Sequence, residues 1–169
     1  SFFNRLPLKV LALSTAFLPF HSINAGKTAH QFDNVVNQNK LTVVSVANST
    51  TVFKDGQHLH GFGYDLVRNY AESMNVKLEF KTVSDNATAL KWVSSGKANF
   101  AMTTSSIQSI ENQQLTAFSA SCGDLNTLKR NGLNSELNWV FKHADDPLSQ
   151  TASNFVCRGK QNGSISQLA

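Results

Sequence analysis

Three groups of residues carry side chains able to do covalent or metal chemistry. Ser119-Ala-Ser-Cys-Gly123 places two hydroxyls and a thiol within five positions. A serine nucleophile on a strained strand-to-helix turn needs the Gly-x-Ser-x-Gly elbow, which is absent here, and Cys122 has a ready partner in Cys157. Asp145-Asp146 could form an acid/base pair, but Pro147 follows directly. The pair therefore reads as negative charge placed at a helix start. His58 and His60 stand two apart beside a turn, and His143 lies close to Asp145 and Asp146. A metal needs such groups to converge, and no spacing in the chain brings them together. The expectation is no enzyme activity, no metal and no cofactor. Phe53, Thr103, Thr104 and Ser105 suit another task, with an aromatic wall and a run of hydroxyl and backbone donors that would hold a small polar ligand. The opposing assignment has Phe53 covering a sheet edge and the Thr-Ser run as a solvated loop. Asp65 is assigned to orienting a helix rather than to ligand contact.

The elements that must position these residues follow from periodicity. Leu41 to Ala47 is a β-branched run of strand length, apolar enough to be buried on both faces as in a parallel sheet. Asn48 to Thr51 breaks it, and Asp55-Gly56 marks a turn. Apolar residues at 66, 67, 70, 71 and 74 predict a helix over 63–74. Val76 to Val83 alternates as a second strand, and Ser84 or Asp85 caps the next helix. That helix buries Ala89, Leu90, Trp92 and Val93 and ends at Gly96. Ala98 to Met102 is a third strand. The resulting β-α-β-α-β order predicts a parallel sheet with helical crossovers. Ligands of such sheets bind at the carboxyl ends of the strands, where Thr103 to Ser105 fall.

Beyond Thr103 the signal thins. Leu115 to Phe118 and Leu137 to Phe141 are strand candidates, and Asp124 to Asn131 reads as a short helix. Asp146 caps a further helix with Pro147 at its first position, burying Leu148, Ala152, Phe155 and Val156. Gly163 to Ala169 reads as the start of another helix, cut off by the chain end.

The first 25 residues carry an address. Arg5 and Lys9 precede an apolar run from Val10 to Phe20, and small or polar residues follow up to Ala25. This order is that of a secretory signal peptide cleaved after Ala25, and the run is too short to span a bilayer. Residues 26–40 read as a polar linker and 41–169 as one domain. Of 15 Lys and Arg, Arg5 and Lys9 belong to the signal, leaving 13 basic against 11 acidic, a net +2. The remaining cations are scattered with no aromatic interleaving, so nucleic acid is not an expected partner. Two cysteines in an exported chain read as one disulfide, Cys122 to Cys157, contributing about 3–4 kcal/mol in the chain-entropy model.

The ordered motifs resemble those of the extracellular solute-binding proteins of the amino-acid type. The residues that carry the resemblance are the strand from Leu41, Phe53 in the next loop, and Gly61-Phe-Gly-Tyr-Asp-Leu66. Ser94-Ser-Gly-Lys-Ala-Asn-Phe100, Thr103 to Ile107 and Ala117-Phe-Ser-Ala120 continue it, and the tail from Trp139 is similar to the closing strand and helices. The resemblance implies an α/β, parallel-sheet, three-layer lobe of the type 2 periplasmic-binding fold. It also implies capture of a small polar ligand, periplasmic location and delivery to an inner-membrane permease of the ABC type. The same domain precedes the catalytic part of certain membrane-bound lytic murein transglycosylases. A cell-wall-sensing module and a one-lobed protein-interaction unit are therefore the alternatives.

Two departures stand out. The family inserts a second lobe between the Phe118 region and the closing strand, whereas here only about twenty residues separate Ala120 from Trp139. The second lobe is missing or vestigial. Amino-acid binders also carry an Arg just before the Phe-Ser segment to hold the ligand carboxylate, and this chain has Glu111-Asn112.

Overall fold

The computed structural model describes residues 31–48, 51–120, 122–124, 126 and 137–161. The strands are β1 (Lys40–Val46), β2 (Phe53–Asp55), β3 (His58–His60), β4 (Lys77–Val83), β5 (Phe100–Thr103), β6 (Thr116–Ser119), β7 (Gly123–Asp124) and β8 (Asn138–Phe141). The helices are α1 (Gln31–Gln38), α2 (Phe62–Ser73), α3 (Asn86–Ser94), α4 (Ile107–Asn112) and α5 (Pro147–Gln161).

Six strands form one sheet in the order β4-β1-β5-β8-β6-β7, and β2 and β3 form a separate hairpin. β1 pairs in parallel with both β4 and β5, while β8 runs antiparallel between β5 and β6. Four of the six strands thus point one way, and the expected parallel core is present. The β1 run is buried from Leu41 to Ser45 because helices cover both faces.

One face carries Leu41, Val43, Phe100, Met102, Trp139 and Phe141 against α2 and α5. The other carries Val44, Ala101, Ala117 and Val140 against α3 and α4. On the first face Phe100 stacks on both Trp139 and Phe141, with ring centroids 4.8 Å apart in each case. Tyr70 from α2 tilts onto the same column, 5.8 Å from Trp139. Such aromatic pairs add to the area they bury.

Helix ends follow local chemistry. Asp85 caps α3 by accepting the Thr88 N–H at 2.7 Å, and Gly96 lies just past its end at φ +81°. The start of α2 has no side-chain cap. The carbonyl of Thr51 instead accepts the N–H groups of Gly63 and Tyr64 at 2.8 and 3.2 Å.

Three features differ from the sequence reading. The segment read as linker holds α1, an eight-residue helix with only Val35 buried. A helix this short is marginal alone and is held by tertiary contacts, which periodicity cannot register. α4 has no counterpart among the sequence expectations, because a six-residue helix shows only Ile107 and Ile110 as its buried pair. Trp92 is only half-buried, with the Lys97 ammonium 4.0 Å from its ring centroid. The signal segment, the final helix and most of the Asp124–Asn131 stretch lie outside the described residues, and Asp124 itself ends β7.

Candidate functional site

Because β1, β4 and β5 are parallel, the loops leaving them open on one edge of the sheet. A cleft of about 260 Å³ sits there. Ser45, Val46 and Asn48 reach it from the end of β1, Asp85 and Asn86 from the turn after β4, and Met102, Thr103 and Thr104 from the end of β5. Leu137, just before β8, completes the wall. This is where an α/β sheet leaves room for a ligand.

The hydrogen bonds of the lining are local. The Ser45 hydroxyl donates to the Met102 carbonyl at 2.9 Å, tying β1 to β5 beneath the cleft. The Asn86 amide Nδ2 donates to Thr104 Oγ1 at 3.2 Å across its mouth. Thr103 is buried, and its Oγ1 accepts the Ser105 N–H at 3.2 Å. Asn48 closes the loop after β1 by accepting the Thr51 N–H at 2.7 Å and donating to the Thr51 hydroxyl. The Thr88 N–H donated to Asp85 holds that exposed carboxyl below the usual carboxylate range.

Of the four residues expected at a ligand, Thr103 and Thr104 line the cleft. Ser105 is buried behind them, and its Oγ has no hydrogen-bond partner among the described residues. Phe53 lies on the β2–β3 hairpin, its ring 5.9 Å from that of His60, and is not among the residues lining the cleft. Asp65 pairs with Arg68 at 3.8 Å in the first turn of α2. Sequence reasoning missed Ser45, Asp85 and Asn86. The rule that pointed to the residues after β5 would have found them if applied equally to the residues ending β1 and β4.

Elsewhere, His58 and His60 are exposed on β3, and no three His, Cys, Asp or Glu side chains among the described residues converge to hold a metal. No helix among the described residues is long and apolar enough to cross a membrane. Cys122 and Cys157 form a disulfide with Cα atoms 5.0 Å apart, fastening the turn after β6 to α5.

The sequence profile of the bacterial extracellular solute-binding proteins, family 3, matches residues 41–169. The chain belongs to that family. No curated protein matches it by sequence. Among solved structures, the arginine-bound form of domain 1 of TmArgBP is similar, with 18% identity and a TM-score of 0.59 over 75% of this chain and 98% of that one. The amino-acid ABC transporter substrate-binding protein AbpA of Streptococcus pneumoniae, bound to L-arginine, has 12% identity and a TM-score of 0.61 over 80% of this chain and 95% of that one. An ancestral cyclohexadienyl dehydratase has 12% identity and a TM-score of 0.63 over 84% and 95%. At these identities the likeness is one of fold. Within it the described residues form one lobe-sized domain, and the structures of similar fold include an enzyme as well as binders.

Proposed function

We propose that this family member is a periplasmic solute-binding domain. It captures a small, polar, amino-acid-like ligand at the carboxyl edge of its sheet and delivers it to an inner-membrane permease of the ABC type. The observation that carries this reading is the cleft at the ends of β1, β4 and β5, with the hydroxyls of Thr103 and Thr104 in its wall. A cleft of this kind needs only a few fixed polar groups to orient a ligand. The signal-like first 25 residues and the disulfide support an oxidising, extracytoplasmic setting. The arginine-bound single domain among the similar structures supports capture by one lobe. The domain is assigned to binding on the strength of its family of solute-binding proteins.

Thermal shift and isothermal titration of the oxidised protein against amino acids, amines and muropeptides test the reading. Ligand at a hundredfold excess over Kd stabilises by about 2.7 kcal/mol, a readily measured rise in Tm. Thr104→Val should weaken that binding. A response to muropeptides alone would favour the cell-wall-sensing module. No response to any small ligand would overturn the binding reading in favour of a protein-interaction unit.

A further inference from the structure

The outermost strand position of the sheet is only half filled. β7 is two residues long and pairs with β6 at Phe118 and Ser119 alone. Asn126 is already helical, so β7 does not continue beside Thr116 and Ala117. A cavity of about 380 Å³ lies in that gap, between the edge of β6 and the flank of α5.

Strand alternation decides which main-chain groups face it. Ala120 donates its N–H to the Leu137 carbonyl at 2.9 Å, so residues 116, 118 and 120 turn their main-chain groups towards β8. Ala117 and Ser119 turn theirs outwards. The Ser119 carbonyl accordingly accepts the Cys122 N–H at 2.8 Å on the β7 side. Ala117 has no residue of β7 opposite it, and neither its N–H nor its carbonyl has a partner among the described residues. Ala117 is only 4% exposed and lines the cavity, so a buried donor and a buried acceptor look into it side by side. Folded proteins rarely leave such groups unanswered.

The facing wall complements them. Gln150 and Asn154 stand one helical turn apart on α5 with Ser153 beside them. None of these three side chains has a hydrogen-bond partner among the described residues. Ser149 is spent, donating to the carbonyls of Ala144 and Asp146. Asp124, the one ionisable side chain in the lining, is already engaged within the chain. What remains free is neutral, and a carboxamide both donates and accepts as a peptide group does.

We propose that this gap is a second binding site, which takes an uncharged, extended peptide segment of about three residues along the line of β7. One residue of the segment pairs with Ala117 through its own N–H and carbonyl, and the flanking amides meet Gln150 and Asn154. A polyol would satisfy the side chains on α5. It would not supply the acceptor and donor at strand spacing that Ala117 presents.

The probe is acetyl-trialanine amide, titrated into the full oxidised chain labelled with ¹⁵N. The Ala117 amide resonance should move and its hydrogen exchange should slow, while those of Thr103 and Thr104 stay in place. A peptide N-methylated at its central residue lacks the donor to the Ala117 carbonyl and should bind on the order of fivefold more weakly. Gln150→Ala/Asn154→Ala changes two exposed helix positions, so the Tm of the free protein should hold while peptide affinity falls on the order of tenfold. No movement at Ala117 up to the solubility of the peptide, or binding indifferent to N-methylation, would overturn the proposal. So would binding lost in Thr104→Val but kept in Gln150→Ala/Asn154→Ala, which would put the peptide in the carboxyl-edge cleft instead.

Discussion

Asp146 and Gln31 lie 115 residues apart in sequence, yet the Asp146 carboxylate accepts the backbone N–H of Gln31 at 3.2 Å. Its other oxygen accepts the N–H of Leu148 at 2.9 Å, so one buried side chain caps both α1 and α5. Each helix start has N–H groups without intrahelical partners, and a carboxylate there answers both the hydrogen-bond deficit and the dipole. This is the contact that turns the segment before the first strand into part of the lobe. Asp146→Ala should cost about 2–4 kcal/mol, two caps at about 1–2 kcal/mol each. Urea unfolding measures it, and Asp146→Asn should recover part of the loss by restoring one acceptor.

Tyr70 places its hydroxyl 2.8 Å from the Thr151 hydroxyl and 3.3 Å from the Leu148 carbonyl. Burial pushes its ionisation up to about 12, with the Thr151 hydrogen bond working against the rise and Asp146 adding to it. The neutral phenol is the folded form, so the folded chain holds its proton where the unfolded chain, near 10, has lost it. Stability from this group is present below pH 10 and declines between pH 10 and about 12, by roughly 2–3 kcal/mol. Tyr70→Phe should remove that alkaline limb from the stability profile while costing about 1 kcal/mol at neutral pH. An unchanged alkaline limb in the variant would assign the decline to other groups.

The disulfide between Cys122 and Cys157 closes a loop of sequence separation 35. In the chain-entropy model its loss costs about 3–4 kcal/mol. Cys122→Ser/Cys157→Ser and the reduced wild type should show the same lowered denaturation midpoint. A reduced protein as stable as the oxidised one would make the bond incidental to folding.

Gly63 sits where a Cβ would meet the Thr51 carbonyl oxygen at 3.0 Å and the Met102 side chain at 3.1 Å. That carbonyl caps α2, and Met102 lines the cleft. Gly63→Ala should destabilise by about 1–3 kcal/mol, since backbone as well as side chain must shift. A gain in stability, as for an unhindered helical Gly→Ala, would show that the Thr51 loop gives way freely.

Much of the lobe was legible along the chain. The β-branched run from Leu41, the helical spacing of Leu66, Val67, Tyr70 and Ala71, the alternation after Val76 and the cap at Asp85 each encode a local preference. They recur as β1, α2, β4 and α3. The pairing of Cys122 with Cys157 and the start of α5 at Pro147 were also within reach of sequence alone, as was the placing of Thr103 and Thr104 at the carboxyl edge. All of these are short-range signals or simple counts.

Other features depended on residues distant in sequence. α1 exists because Asp146 and Asn99 meet it, and β8 runs antiparallel between β5 and β6 because it returns from the far end of the lobe. The cleft joins Ser45, Asp85, Asn86 and Thr104, whose mutual distances are set by strand register rather than by spacing. Periodicity reports which face a residue presents. Only the packed sheet decides which residues share an edge.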